Sequence, residues 1–177
     1  MIIGLSGYAR SGKDEIANIL IEQGFKRIAF ADKIRELLYE MNPNYHDTLL
    51  QQAVNSHGWD EVKQDPAIRR MLQNLGVGVR KVIHEEFWIA QALQQIVDDN
   101  DYVITDVRFA NEARMIKEYK NSQLWRIKRP GVEAVNGHVS EHDLDHYKFD
   151  QVLKNEGSLD DLRTLVLKRL EVARNAD

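Results

Sequence analysis

The stretch from Gly7 to Asp14 holds the residues whose types and spacing most clearly indicate chemistry. Four residues separate Gly7 from Gly12, and Lys13 follows the second glycine directly. Backbone N–H groups can converge on a polyphosphate only where no side chain blocks the approach, and the two glycines meet that need. Lys13 adds a mobile cation for the β and γ phosphates. The pattern therefore predicts a phosphate-binding loop at the start of a helix, whose positive dipole end faces the same anions.

Asp14 departs from the usual pattern, because the residue after the loop lysine is normally Ser or Thr. A hydroxyl at this position normally ligates Mg²⁺. A carboxylate in its place is tolerable close to phosphates only if a cation or an ordered water lies between them, so Asp14 is predicted to hold Mg²⁺ directly or through water. The alternative is a surface turn followed by an acidic first helical turn. The strand expected before the loop and the helix after it favour the phosphate site. Its predicted nucleotide-binding residues are Gly7, Ala9, Arg10, Ser11, Gly12, Lys13, Asp14 and Glu15.

A second chemical signal is Asp106, which ends the apolar run at residues 102–105. Ligands of open parallel sheets bind at the carboxyl ends of the strands, so Asp106 is predicted to hold Mg²⁺ directly or through water. Arg108 follows two residues later and is a candidate phosphate ligand. The alternatives are a loop cap for Asp106 and an ion pair with Glu112 for Arg108.

Further cations stand at predicted element ends. Asp32 and Arg35 lie on the first turn of a predicted helix, with Asp32 as its cap, and Arg80 belongs to a group with Arg69, Arg70 and Lys81. Arg126, Lys128 and Arg129 stand at the end of a predicted strand, beside a segment of weak core character that runs to residue 145. Phosphoryl transfer requires charge stabilisation and exclusion of water, so these three are candidate clamps beside a lid. An edge strand decorated with positive charge is the alternative.

The elements that must position these residues alternate along the chain. Five strands are predicted at residues 2–6, 26–30, 102–106, 124–128 and 149–154. Helices are predicted at 14–23, at 32–41, from Pro66 to Gly76, once or twice within 77–100, from Asn111, and from a capping box at Ser158. Residues 45–65 have poor periodicity and predict a mobile insertion or a broken helix. The alternation predicts a three-layer α/β fold around a five-stranded parallel sheet with right-handed crossovers.

Composition sets limits on the class of protein. A chain of 177 residues predicts a single domain, and no window approaches the ~18 apolar residues of a membrane span. The absence of cysteine and the short apolar start predict a cytoplasmic protein without disulfides. The net charge of −4 and the lack of a basic run argue against a nucleic-acid partner. His138, His142 and His146 recur at intervals of four, but without cysteine they are a weak zinc signal.

The ordered motifs resemble those of the nucleoside monophosphate kinase branch of the P-loop fold, and most closely the phage deoxynucleoside monophosphate kinases. The resemblance runs almost end to end. It rests on residues 4–14, 30–35, 72–76 with Arg80 and Trp88, 105–113, 129–132, Ser140-Glu141 and 149–157. Asp after the loop lysine is common in that family. The sequence argues against a regulatory GTPase, because it contains neither the guanine-reading Asn-Lys-x-Asp nor the switch Asp-x-x-Gly.

The resemblance implies phosphoryl transfer from ATP to a deoxynucleoside monophosphate, a small-molecule partner, with Mg²⁺. It implies an acceptor-binding region at about residues 32–100 and a lid at about 129–145 within the domain 1–177. The implied acceptor-binding residues are Asp32, Arg35, Arg80, Trp88, Arg108 and Arg126, with Lys13, Arg108 and Arg129 as the catalytic residues. A homodimer and, for a phage-encoded chain, a location in the host cytoplasm are expected from the likeness alone. A phosphomevalonate or dephospho-coenzyme A kinase and a non-catalytic nucleotide-binding module remain as alternatives.

Overall fold

The computed structural model describes residues 1–97, 99–134 and 137–175. The chain forms two compact units, of which unit 1 comprises Met1–Ala29 with Gln95–Asp177 and unit 2 comprises Phe30–Gln94. The elements of unit 1 are β1 (Ile2–Ser6), α1 (Lys13–Glu22), β2 (Lys26–Ile28), β5 (Tyr102–Ile104), α7 (Ala110–Lys117), β6 (Ser122–Lys128), α8 (Val139–His142), β7 (Gln151–Lys154) and α9 (Leu159–Arg174). Those of unit 2 are α2 (Phe30–Met41), β3 (Asn44–Tyr45), β4 (Thr48–Leu49), α3 (Leu50–His57), α4 (Trp59–Val62), α5 (Pro66–Val82) and α6 (Phe87–Leu93).

The centre of unit 1 is a sheet of five parallel strands in the order β2, β5, β1, β6, β7. β1 is the middle strand and all five of its residues are buried. Its pairing with β5 begins with Ile2 opposite Tyr102. Its pairing with β6 extends to the last residue of β1, where Ser6 lies opposite Arg126. This register brings the loop after β1 between the ends of β5 and β6. The predicted five-stranded parallel sheet is therefore confirmed.

Helices cover both faces of this sheet. α1 and α9 pack on one face, where Trp125 of β6 is fully buried among their apolar side chains. The other face meets α7 at Gly4, where an added Cβ would lie 2.7 Å from Leu124 Cδ2 and 2.9 Å from Ile116 Cδ1. A side chain at Gly4 would therefore require the buried side chains of Leu124 and Ile116 to shift. The predicted three-layer arrangement is confirmed within unit 1.

Several predicted element boundaries were wrong: β5 ends at Ile104 and β6 begins at Ser122. β2 ends at Ile28, and α2 already begins at Phe30. Asp32 is consequently in the first turn of α2 rather than at its cap, and its carboxylate pairs with Arg35 one turn later. A carboxylate in the first turn still interacts favourably with the helix dipole. α7 begins one residue earlier than predicted, at Ala110, and β7 begins at Gln151.

In unit 2 the helix predicted to end at Gly76 continues to Val82. Gly76 is buried inside it, and its carbonyl accepts a hydrogen bond from Trp88 Nε1 at 2.9 Å. An added Cβ at Gly76 would lie 3.1 Å from Ile34 Cδ1. The glycine therefore serves close packing rather than helix termination. The predicted start was correct, because Asp65 Oδ1 accepts from the N–H of Ala67 at 2.7 Å.

Residues 44–62 combine a hairpin with two short helices. β3 and β4 form an antiparallel pair that was not predicted, with His46 in the turn at φ 51°. α3 and α4 are separated by Gly58 at φ 78°, so the predicted broken helix is confirmed. The described residues include no helix long and apolar enough to cross a membrane.

Candidate active site

The loop between β1 and α1 has the geometry of an anion cradle. Gly7 has φ 152° and Gly12 has φ 102°, in the region where side chains are strained. An added Cβ would lie 2.6 Å from the carbonyl oxygen of Ile127 at Gly7, and 2.4 Å from Asn155 Nδ2 at Gly12. Asn155 Nδ2 also donates to the carbonyl of Ser11 at 3.0 Å. The loop is therefore held from the ends of β6 and β7, and both glycines are sterically required.

Lys13 folds back onto this loop. Its Nζ donates to the carbonyls of Gly7 at 2.7 Å and Tyr8 at 2.8 Å. Burial and the nearby charge of Arg108 lower the pKa of Lys13 to about 8, while Asp14, Glu141 and Asp106 act in the opposite direction. A group whose charged form is disfavoured by burial gains when an anion arrives. The site therefore favours a negatively charged ligand at Lys13.

The loop after β5 places Asp106 and Arg108 beside the phosphate loop. The N–H of Val107 donates to the carbonyl of Leu5 at 3.0 Å, which fixes this loop to the end of β1. Glu112 Oε2 accepts from the backbone N–H of Arg108 at 2.8 Å and of Phe109 at 3.0 Å. The guanidinium of Arg108 forms its ion pair with Glu141, at 2.8 Å from Nη1 to Oε1. Glu112 thus shapes the backbone of the loop, and Glu141 binds its cation.

Arg126, at the end of β6, is enclosed in a network. Its Nη1 donates to Ser6 Oγ at 3.1 Å and its Nη2 to Asp145 Oδ1 at 2.9 Å. The guanidinium also lies over the Tyr8 ring, 4.9 Å from its centroid, and over the ring of Phe149 at 5.7 Å. Only 9% of the Arg126 side chain is exposed. Arg126 therefore supports the phosphate loop through its contacts with Ser6, at the end of β1, and with the ring of Tyr8.

The segment at 129–145 was predicted to be a lid, and residues 135 and 136 lie outside the described residues. Lys128 and Arg129 are exposed at the end of β6. Asp143 Oδ2 accepts from the N–H of Ala110, the first residue of α7, at 2.7 Å. Asp145 also accepts from the hydroxyl of Tyr8 at 2.8 Å. The part from residue 138 onward is thus docked onto the phosphate loop and α7, and its role as a lid stays a prediction.

The other predicted acceptor-binding residues belong to unit 2. Arg35 pairs with Asp32 on α2, and Arg80 is half-buried in the last turns of α5. Trp88 on α6 is 3% exposed, with its indole N–H bonded to Gly76. The three helices pack against one another. The fold thus collects these residues on neighbouring helices, and their contact with an acceptor stays a prediction.

The two carboxylates predicted to hold Mg²⁺ differ in exposure. Asp14 is exposed on the first turn of α1, and Asp106 is half-buried after β5. Among the described residues no group of three or more His, Cys, Asp or Glu side chains is arranged to hold a metal. His138 Nδ1 bonds Ser140 Oγ, and His142 Nδ1 bonds Asp145 Oδ2. Two carboxylate oxygens fit Mg²⁺, because this ion keeps waters and phosphate oxygens as its other ligands.

Comparison with known proteins places this site in a family. The sequence profile of deoxynucleotide monophosphate kinases matches residues 44–166, more than half of the chain. The chain belongs to the deoxynucleotide monophosphate kinase family. A protein of Acanthamoeba polyphaga mimivirus named as such a kinase is 30% identical over 98% of this chain and 97% of its own length. The deoxynucleotide monophosphate kinase of Escherichia phage RB69 is 28% identical over 68% of this chain and 50% of its own.

The fold of this deoxynucleotide monophosphate kinase family member also occurs in solved structures. Dephospho-CoA kinase from Campylobacter jejuni aligns over 99% of this chain and 98% of its own, with a TM-score of 0.53 and 16% identity. At that identity the likeness concerns the fold alone. The predicted P-loop kinase fold and the predicted likeness to phage deoxynucleoside monophosphate kinases are confirmed.

Sequence reasoning about this kinase missed four supporting groups: Ser6, Tyr8, Glu141 and Asp145. Tyr8 lies inside the predicted phosphate loop, and Glu141 belongs to the Ser-Glu pair that contributed to the resemblance. Ser6 and Asp145 carry no local signal, because their importance comes from the packing of Arg126 between distant segments.

Proposed function

We propose that the protein transfers the γ-phosphoryl group of ATP to a deoxynucleoside monophosphate, giving ADP and the deoxynucleoside diphosphate. The observation that supports this most directly is the convergence of Lys13, Asp106 and Arg108 at one end of the parallel sheet, beside the two glycines of the loop. Phosphoryl transfer is accelerated mainly by positioning and charge neutralisation. Membership of the deoxynucleotide monophosphate kinase family supports the identity of the acceptor.

The donor side of the reaction depends on the phosphate loop. The backbone N–H groups from Gly7 to Lys13 and the dipole of α1 bind the β and γ phosphates of ATP. Lys13 Nζ exchanges its bonds to the carbonyls of Gly7 and Tyr8 for phosphate oxygens. Asp14 and Asp106 would hold Mg²⁺, which would supply positive charge against the charge that develops on the phosphates during transfer.

The acceptor side depends on arginines. Arg35, Arg80 and Arg108 bind the monophosphate, together with Asp32, Trp88 and Arg126, and Arg129 closes on the transferred group. The acceptor oxygen is already anionic, so no covalent nucleophile or strong general base is required. Arg108 is the best supported of these residues. It lines the same small cavity as Gly7 and Tyr8 with a side chain 42% exposed, whereas Arg126, which also lines that cavity, is only 9% exposed.

A coupled assay of ADP release tests the proposal. Mg²⁺-ATP is offered with the deoxynucleoside monophosphates, their ribose counterparts, phosphomevalonate and dephospho-coenzyme A. Fast ADP release that depends on a deoxynucleotide is the expected result, and chelation of Mg²⁺ should abolish it. If no deoxynucleotide is phosphorylated but phosphomevalonate or dephospho-coenzyme A is, the proposed acceptor is wrong and that compound is the acceptor instead. Failure of all acceptors with intact ATP binding would leave a binding module.

Substitutions test the arginine roles in the same assay. Arg108→Ala and Arg80→Ala are each expected to raise the acceptor KM or lower kcat, with little change in ATP affinity. Arg114→Ala is a matched control, because Arg114 is an exposed arginine on α7. Unchanged turnover of a variant would remove that arginine from the site.

A further inference from the structure

Glu141 is a nearly buried carboxylate for which the proposed reaction gives no role. It lies on α8, and its side chain is only 8% exposed. It lines the cavity formed with Ser6, Gly7, Tyr8 and Arg108. A buried carboxylate is costly unless a cation and hydrogen bonds compensate it. The ion pair with Arg108, at 2.8 Å, supplies that compensation.

Arg108 is held at both of its ends by carboxylates. Its backbone N–H donates to Glu112, which is 3% exposed, so the start of the side chain is fixed. The Arg108 side chain as a whole is 42% exposed. A long side chain so exposed would lose rotamer freedom on binding a ligand, and that loss would weaken binding. Glu141 fixes the guanidinium before any ligand arrives.

The segment that carries Glu141 is itself anchored. His138 Nδ1 accepts from the N–H of Ser140 at 3.2 Å and also bonds the hydroxyl of that residue at 2.8 Å. Asp143 binds the N–H of Ala110, and Leu144 is 2% exposed. Glu141 therefore projects from a short helix that is fixed on both sides. A rigid support is what a positioning residue requires.

The exposed fractions of Arg108 and Glu141 indicate which of the two side chains a ligand can reach. The Glu141 side chain is almost enclosed at 8% exposure, whereas the Arg108 side chain is 42% exposed. A guanidinium has five N–H donors, and the bond from Nη1 to Glu141 occupies one of them. The other donors remain for a phosphate in the cavity that Arg108 lines together with Gly7 and Tyr8. Glu141 thus fixes the guanidinium through one donor and leaves the others to a ligand.

We propose that Glu141 is a positioning residue for phosphoryl transfer: it holds the guanidinium of Arg108 in the orientation that binds a phosphate beside the Gly7 loop. The proposal rests on the proposed function, because it assumes that Arg108 binds phosphate. Residues that orient metal ligands typically contribute about 10–100-fold to activity, and we expect an effect of the same order for a carboxylate that orients an arginine. Glu141 does not touch the substrate and acts only through Arg108.

Glu141→Gln is the central test, because it keeps the shape and removes the charge. We expect kcat to fall by about tenfold and the acceptor KM to rise, with the ATP KM unchanged. Glu141→Asp keeps the charge on a shorter stem and should recover part of the loss, which also covers a Gln variant that fails to fold. Glu22→Gln is the matched control, since it removes the charge of a carboxylate that pairs with an exposed arginine, Arg163, outside the site, and its kinetics should match the wild type.

A double-mutant cycle separates the possible mechanisms. In an Arg108→Ala background, measured by single turnover at high enzyme concentration, adding Glu141→Gln should change the rate by less than about twofold. Independent, multiplicative losses would overturn action through Arg108. A lower acceptor KM in the Glu141→Gln variant would show that Glu141 competes with the phosphate for Arg108. Wild-type kinetics in that variant would show that Glu141 has no positioning role. A wild-type chain that releases no acceptor-dependent ADP would instead refute the proposed function itself.

Discussion

Asp145 offers a sharp test of the network that supports the phosphate loop. Its carboxylate accepts from the Tyr8 hydroxyl at 2.8 Å and from Arg126 Nη2 at 2.9 Å, and it bonds His142 Nδ1 at 2.9 Å. Asp145→Asn preserves the shape and one acceptor oxygen but removes the charge. The guanidinium of Arg126 then keeps the neutral Ser6 hydroxyl and two aromatic rings as neighbours. We therefore expect a loss of folding stability.

The size of this loss in folding stability can be worked out from the burial of the Arg126–Asp145 ion pair. Exposed ion pairs contribute about 0–1 kcal/mol, whereas breaking a fully buried pair costs about 3–5 kcal/mol. Arg126 is 9% exposed and Asp145 is 24% exposed, so the pair lies between these limits. Because Asn retains a hydrogen bond, we expect a loss of about 1–2 kcal/mol. For a chain of this size the corresponding fall in Tm is about 2–8 °C.

Thermal and urea unfolding of the wild type and Asp145→Asn measure this loss. Glu22→Gln is the matched control, because the pair of Glu22 with Arg163 has side chains 53% and 45% exposed. The control should leave Tm nearly unchanged. An Asp145→Asn variant as stable as the control would refute the reasoning, because the enclosed guanidinium would then not depend on the carboxylate.

The pH dependence provides a second check. Burial alone raises the pKa of Asp145, but hydrogen bonds from His142 and Tyr8 and the charge of Arg126 outweigh it and lower the pKa. The carboxyl is therefore more acidic in the folded chain than in the unfolded one. Its contribution is complete above the ordinary Asp pKa of about 3.9 and is lost as the pH falls through the folded value. The Tm difference from Asp145→Asn should shrink below about pH 4; a difference that grows would contradict this sign.

Other perturbations have expected outcomes at single positions. Gly12→Ala places a Cβ 2.4 Å from Asn155 Nδ2 at φ 102°, so calorimetry should show ATP affinity reduced by at least about tenfold. Adding Asn155→Ala should restore only part of it, because the backbone strain remains; full recovery would contradict that strain. Trp88→Phe removes the hydrogen bond to Gly76 and should cost about 1 kcal/mol in urea unfolding; an unchanged midpoint would mean the bond is dispensable. Asp14→Thr should retain more Mg²⁺-dependent turnover than Asp14→Ala, and equal losses would contradict a metal role.

The sequence predicted those parts of the fold that depend on local pattern. The apolar runs of β1 and β5 predicted buried strands because parallel strands have two covered faces. Asp65 predicted a helix start because the cap and the following proline act within a few residues. Gly76 was misinterpreted because a buried glycine inside a helix and a glycine that ends one look alike until the packing of Trp88 and Ile34 is known.

In the candidate site, too, features carried by neighbouring residues were predicted, whereas contacts between distant segments were not. Gly7, Gly12 and Lys13 lie close together in the sequence, so the loop geometry followed from spacing alone. Arg126 was predicted as a cation near phosphate, and the structure encloses it beneath the loop with Asp145. That pairing joins β6 to a segment 19 residues away. No local pattern contains such information, because the interaction depends on which chain segments the fold brings together.

The supporting network has a consequence for how the site works. Tyr8 of the phosphate loop, Arg126 of β6 and Asp145 of the segment 138–145 contact one another, and Glu141 of the same segment binds Arg108. One acidic segment therefore fixes both arginines and one residue of the loop. Any movement of that segment must change the orientation of these cations together, because the bonds share its backbone. Donor and acceptor groups would then be ordered or released as a unit, which favours phosphoryl transfer over separate binding of either nucleotide.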